Sequence, residues 1–285
     1  MKIFVLNSAR HLLKGTGRLQ SSRFSDGEIY VRIIDDVKDE RIILLANTNP
    51  PAENLLELIL ALDALRRQNA KVHLIIPYIS YARQDRASIE GEAVSAEAMS
   101  RMLRQYNPAS ITVIDAHSGR LKKFLDFNDV SALRLLLSRL RVSERKNMVI
   151  AAPDKGAVER AKKASEMLKC SVVLLEKHRP GHDLAKIRAA HGDVKRKNVL
   201  IIDDMIDTGG TVIAAAEFLK KAGARDIIVA ATHAVLSGDA VKRLDASKIK
   251  KVLVTDSLKC NPGRRFRIVK LDKSIREIIG GINGR

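Results

Sequence analysis

NVLIIDDMIDTGGTVIAAAEFL, residues 198–219, runs from an apolar stretch, Val199 to Ile202, into two adjacent carboxylates, Asp203 and Asp204. A tight polar loop follows, Asp207-Thr208-Gly209-Gly210-Thr211, and then an alanine-rich helical pattern. A β-branched run, a glycine turn and a helix in succession predict a strand–loop–helix unit. Gly209 and Gly210 carry no Cβ, so the backbone can turn sharply and approach a ligand.

The same rhythm recurs outward in both directions. Runs at 2–6, 30–34, 41–46, 71–78 and 110–115 read as strands, and so do 148–152, 171–176, 198–203, 226–232 and 251–256. Helical patterns fall between them, at 94–106, around 131–140, at 156–168 and at 211–222. Another covers 53–68, with Leu55, Leu56, Ile59, Leu62 and Leu65 on one face. Short strands separated by amphipathic helices predict parallel sheets covered on both faces, the α/β class. Two such series predict two domains, 1–146 and 147–285, joined at the charged stretch RVSERKN (141–147).

Ligands of open parallel sheets bind beyond the carboxyl ends of the strands. Beyond the strand at 198–203, successive N–H groups at the helix start and the hydroxyls of Thr208 and Thr211 make a nest for a phosphate dianion. Asp203 and Asp204 do not bind phosphate, because like charges repel. Carboxylates accept hydrogen bonds from vicinal hydroxyls, directly or through a divalent cation. A phosphate at one end and a diol at the other describe a ribose 5-phosphate unit.

Bulk composition narrows the partners. Hydrophobic residues make up 46% of the 285, aromatics only 4%, and Trp is absent, so the core is built from Val, Ile, Leu and Ala. Cys170 and Cys260 stand alone, without a CxxC or metal-ligand spacing, as idle thiols of a reducing compartment do. A net charge of +18 favours polyanionic partners. Its basic clusters, such as KRK at 195–197 and RRFR at 264–267, are scattered and not interleaved with aromatics in the manner of a base-stacking surface. Phosphorylated small molecules are therefore expected, not nucleic acid. The opening MKIFVLNSAR has too short an apolar run for a signal peptide, and no stretch approaches a membrane span, so a soluble, cytoplasmic protein is expected.

The segment at 198–219 resembles the phosphoribosyl-binding motif shared by type I phosphoribosyltransferases and ribose-phosphate pyrophosphokinases. RFSDGEIYVRI (23–33) and PYISYARQDRASIEGEAVSAEAM (77–99) resemble the nucleotide-binding segments of the pyrophosphokinases alone. The resemblance implies two tandem phosphoribosyltransferase-like domains, each a mostly parallel sheet flanked by helices. It implies a ribose-phosphate diphosphokinase, with a type I phosphoribosyltransferase as the alternative. ATP would be bound by Phe24, Asp26, Gly27 and Glu28, across a subunit boundary in known members, and by Arg83, Gln84, Asp85 and Arg86. That implies a homo-oligomer, at least a dimer. Ribose 5-phosphate would be held by Asp203, Asp204, Asp207, Thr208, Gly209, Gly210, Thr211 and Arg179. Lys177 and Arg179, in LLEKHRPGHDL (174–184), match the family's catalytic loop. His117 and Asp154 would serve Mg²⁺, although Asp154 also reads as a plain helix N-cap. After His117 the family carries a Gln-rich stretch, whereas this chain has Ser118, Gly119 and Arg120.

Overall fold

Continuous burial along the central strands, as at Met148–Ala152 where every residue is buried, is what sheets covered by helices on both faces require. The computed structural model describes residues 1–178 and 186–284, apart from the side chains of residues 177, 178, 186 and 188. These residues pack as two units, each with its own sheet and core.

In the first unit β1 (Lys2–Val5) is followed by a hairpin of β2 (Leu19–Arg23) and β3 (Ile29–Ile33), antiparallel, with Arg23 opposite Ile29. Then come β4 (Arg41–Leu45), α1 (Glu53–Arg67), β5 (Lys71–Ile76), α2 (Ser95–Arg104), β6 (Ser110–Ile114) and β7 (Asn128–Val130). The sheet is all parallel, in the order β1-β4-β5-β6-β7. Phe4, Leu6, Ile42 and Leu44 meet Leu58, Leu62 and Leu65 of α1 in its core. The face expected of α1 largely holds, with Leu62 and Leu65 in the core and Leu55 and Ile59 packed against it. Leu58, Ala61, Leu62 and Leu65 are buried, while Leu56 is 46% exposed. Glu57 is buried instead and accepts a hydrogen bond from Asn7 Nδ2 at 2.7 Å.

The second unit contains α3 (Leu133–Ser138), α4 (Val142–Arg145), β8 (Met148–Ala152), α5 (Val158–Leu168), β9 (Val172–His178) and β10 (Lys186–His191). It continues with β11 (Asn198–Ile206), α6 (Gly210–Lys221), β12 (Asp226–Ala234), α7 (Ala240–Ala246), β13 (Lys251–Thr255) and β14 (Phe266–Val269). Its sheet order is β10-β9-β8-β11-β12-β13-β14, parallel except for the edge strand β10. Successive residues of a strand face opposite sides. Val199 and Ile201 accordingly join Ala215, Ala216 and Leu219 of α6, while Leu200 and Ile202 join Leu136, Leu137, Ala161 and Ala164 on the other face. A last helix, α8 (Asp272–Asn283), returns to the first unit, where Arg41 Nη2 donates to the carbonyl of Ile282 at 2.9 Å.

The units divide at Ser131/Ala132, and the residues from Leu271 onward belong to the first, so the expected joint at 141–147 and the bounds 1–146 and 147–285 are corrected. Charge suggested a linker there, but the charges are fastened down. Glu144 pairs with Lys251 at 2.5 Å, both side chains less than 15% exposed, and Asn198 Nδ2 donates to the carbonyls of Glu144 and Lys146. Among the described residues no helix is long and apolar enough to cross a membrane.

Candidate active site

Chain order decides where a crevice opens. From β8 the second sheet grows one way to β9 and then reverses, placing β11 on the other side of β8. Such a reversal leaves a gap beyond the carboxyl ends of the two strands. β11 pairs with β8 only as far as Ile201, but with β12 as far as Ile206. Asp203 and Asp204 therefore sit on the part of β11 that outruns β8, and the strand runs on to Ile206, three residues past the end at 203 expected from the sequence.

Asp154, just past β8, caps a short 3₁₀ turn: its Oδ1 accepts from the N–H of Gly156 at 3.0 Å and of Ala157 at 3.3 Å. Both readings of Asp154 thus share one side chain, with Oδ1 committed to the cap. Asp203 Oδ1 accepts from the backbone N–H of Asp204 at 2.9 Å, and Asp204 is buried. Burial raises the Asp203 carboxyl well above the ordinary carboxylate range, and the negative charges of Asp204 and Asp154 push it the same way. A crowded set of acids at a sheet's switch point favours a ligand that brings hydroxyls or a cation.

The loop beyond them turns tightly into α6. Gly209, at φ +75°, is the N-cap of α6 and supplies no side-chain acceptor to the helix's first N–H groups. The N-terminus of this 12-residue helix therefore keeps its partial positive charge for a ligand.

Lys177 lies in β9 opposite Ile187 of β10. Arg179, the second expected catalytic residue, lies outside the described residues.

In the first unit the expected nucleotide residues sit on loops. Phe24 to Glu28 form the tip of the β2–β3 hairpin. Phe24 N–H donates to the Glu28 carbonyl, Asp26 Oδ1 accepts from the Glu28 N–H at 3.0 Å, and Gly27 supplies a φ of +98°. The Phe24 ring is 55% exposed and meets Tyr30 edge-on, centroids 5.6 Å apart. An exposed aromatic at a hydrogen-bonded hairpin tip has a face open for stacking.

Arg83 to Arg86 follow β5. Tyr78 N–H donates to Asn47 Oδ1 and Ser80 N–H to Thr48 Oγ1, each at 2.8 Å, which ties the loop's start to the end of β4. Gln84 accepts from Ser95 Oγ at the start of α2. Asp85 is gripped from the loop after β6, where Ser118 Oγ donates to it at 2.6 Å and the Arg120 guanidinium stands 3.9 Å away. Sequence reasoning marked 118–120 only as a departure from the family. The signal available was a hydroxyl and a cation placed after one strand, opposite an acid placed after its neighbour. His117 is exposed on that same loop.

Residues 3–106 match the family model described as the N-terminal domain of ribose phosphate pyrophosphokinase, and residues 128–262 match the phosphoribosyl transferase domain. The ribose-phosphate pyrophosphokinase 2 of Enterococcus faecalis is 35% identical over 295 residues, covering 98% of this chain and 91% of the relative. The chain belongs to the ribose-phosphate pyrophosphokinase family. The ribose-phosphate pyrophosphokinase of Chlorobaculum tepidum is 38% identical over 243 residues, or 84% of this chain and 75% of the relative. A solved phosphoribosylpyrophosphate synthetase from Mycobacterium smegmatis superposes with a TM-score of 0.89 at 28% identity, covering 99% of this chain and 98% of that one. The family assignment accounts for the two α/β units, and the second unit carries the transferase-type fold expected from the 198–219 motif.

Proposed function

We infer that this chain is a ribose-phosphate diphosphokinase, transferring the diphosphoryl group of ATP to the anomeric hydroxyl of D-ribose 5-phosphate and releasing AMP. The observation that carries the reading is the pairing, at the switch point of the second sheet, of a crowded acid set with an uncapped helix N-terminus. The acids suit a diol and the helix end suits a phosphate.

In this reading Asp203 and Asp204 accept hydrogen bonds from the ring hydroxyls, while Asp207 to Thr211 wrap the 5′-phosphate. Phe24, Asp26, Gly27 and Glu28 hold adenine and its ribose, and Arg83, Gln84 and Arg86 face the ATP phosphates. Asp85, a carboxylate already engaged by Ser118 and Arg120, shapes that loop and does not touch phosphate. The anomeric oxygen attacks the β-phosphorus in line, the bond from that phosphorus to the AMP oxygen breaks, and the hydroxyl proton passes to water. Lys177 and Arg179 stabilise the charge gathering on the phosphate oxygens.

Among the described residues no three His, Cys, Asp or Glu form a ready metal cage. Mg²⁺ keeps several waters and takes one or two carboxylates beside substrate phosphates, a demand that the acids beyond β8 and β11 can meet. Asp154 would hold it near the sugar, and His117 through water near the nucleotide. When bound, the ion neutralises phosphate charge. We further propose a cytoplasmic homo-oligomer, at least a dimer, in which the exposed Phe24 tip serves a nucleotide site completed by another copy.

The test is direct. Protein mixed with ATP, Mg²⁺ and ribose 5-phosphate should give AMP and 5-phosphoribosyl 1-diphosphate in equal amounts. Consumption of that diphosphate with a nucleobase, and no AMP formation, would instead make it a phosphoribosyltransferase.

A further inference from the structure

The segment proposed to hold a phosphate dianion is itself anionic. Residues 198–219 contain Asp203, Asp204, Asp207 and Glu217 and not one Lys or Arg, in a chain whose net charge is +18. Backbone N–H groups and a helix end offset part of a dianion's charge. They do so here against three carboxylates within a few residues. A cation brought from elsewhere in the fold would complete the balance.

The structure places one there. α7 packs on the phosphate loop through Leu244, which is fully buried and lies so near Gly209 that a Cβ at that glycine would come within 3.3 Å of Leu244 Cγ. Arg243, the preceding residue, consequently reaches the loop. Its Nη1 donates to the carbonyl of Thr208 at 3.2 Å, and its Nη2 stands 3.9 Å from where a Cβ on Gly210 would be. Thr208 Oγ1 lies 3.7 Å from that same point. A hydroxyl and a guanidinium thus both stand within 4 Å of a side-chain position on the first residue of the helix. Arginine suits this place because its planar fork can hold a carbonyl with one nitrogen while offering others to phosphate oxygens.

We propose that Arg243 is a further ribose 5-phosphate residue, positioning the phosphate loop through Thr208 and supplying the cation that the loop lacks. The proposal rests on the reading of Asp207 to Thr211 as the phosphate loop. Its energetic scale is one charge-assisted contact at a solvated site, about tenfold in affinity.

The experiment compares Arg243→Met, Arg243→Lys and the wild type in steady state. Arg243→Met should raise KM for ribose 5-phosphate about tenfold, with the loss falling on that KM and not on kcat or on KM for ATP. Arg243→Lys, which keeps the charge but not the fork, should recover part of the loss. A KM for ribose 5-phosphate equal to wild type in Arg243→Met overturns the proposal. So does a rise in both substrates' KM values with lowered thermal stability, the mark of a merely structural residue. If the wild type makes no AMP from ATP and ribose 5-phosphate, the proposed function falls separately. The dissociation constant of inorganic phosphate then decides Arg243 by the same criterion, weakening about tenfold in Arg243→Met or staying unchanged against the proposal.

Discussion

Two adjacent glycines in one loop should fail in different ways. Gly209 sits at φ +75°, a left-handed conformation that costs an alanine on the order of 1–2 kcal/mol. A Cβ there would also stand 3.3 and 3.4 Å from Leu244 Cγ and Cδ1 and 3.5 Å from Ile213 Cδ1. Leu244 is fully buried and has little room to yield, so crowding adds about 1 kcal/mol. Against this, alanine loses less freedom on folding than glycine, a gain of about 0.5 kcal/mol. Gly209→Ala should therefore destabilise by about 2 kcal/mol, lowering the thermal midpoint by roughly 4–8 °C. Gly210 has no positive φ, and its Cβ would meet nothing closer than 3.7 Å. Alanine at this first helical position should leave stability unchanged or raise it by up to about 1 kcal/mol. The same Cβ, however, occupies the space between Thr208 Oγ1 and Arg243 Nη2, where the 5′-phosphate is proposed to lie. Gly210→Ala should raise KM for ribose 5-phosphate at least tenfold while folding normally. Thermal unfolding followed by circular dichroism, with steady-state kinetics on the same preparations, reads both effects. Equal midpoints for the two variants would refute the backbone reasoning, and an unchanged KM in Gly210→Ala would refute the placement of the phosphate.

Asp203→Asn removes one charge from the crowded acids and should stabilise the fold by on the order of 1 kcal/mol while raising KM for ribose 5-phosphate; a less stable variant counts against the crowding. Phe24→Ala, which removes an exposed ring and leaves the tip's backbone hydrogen bonds in place, should leave the melting temperature within about 1 °C and weaken ATP binding; unchanged ATP affinity removes the platform. His73 gives a pH signature in the first unit. Its Nε2 accepts from Arg41 Nε at 3.4 Å, its Nδ1 meets Ser110 Oγ at 2.8 Å, and burial, with Arg41's charge, lowers its pKa below the ordinary 6.5. The folded state thus binds this proton less readily than the unfolded chain, so stability should drop as pH falls below 6.5. Urea midpoints at pH 7.5 and 5.5 should differ more for the wild type than for His73→Asn, and parallel losses in both would exclude His73 as the source.

Local sequence revealed whatever one segment contains by itself. Strand, acids, glycine turn and helix all lie within residues 198–219, and the fold adds only the switch point that makes them a crevice. The β2–β3 hairpin escaped half of such a reading because Leu19–Arg23 is polar and largely exposed, with no buried alternation to mark it as a strand. α8 escaped differently: its helical pattern is ordinary, but nothing in it says that Ile275 and Ile279 are buried in the first unit and not the second, a choice made by tertiary contacts such as Arg41 with Ile282. The proposed functional residues follow the same division. Asp203 to Thr211 announce themselves because ligand chemistry is written in consecutive residues. Ser118, Arg120 and Arg243 do not, since each acts on a loop reached from a different element of its own unit. In the first unit the sheet runs without reversal from β1 to β7, and no switch point picks out a crevice beyond the strands. Its expected nucleotide residues therefore depend on loop anchors, Asn47 and Thr48 on one side and Ser118 on the other. Loss of the Ser118 anchor should loosen ATP recognition before it disturbs the core, because the stretch it holds, Arg83 to Arg86, contributes no buried apolar side chain, whereas Ile79 and Ala82 just before it do.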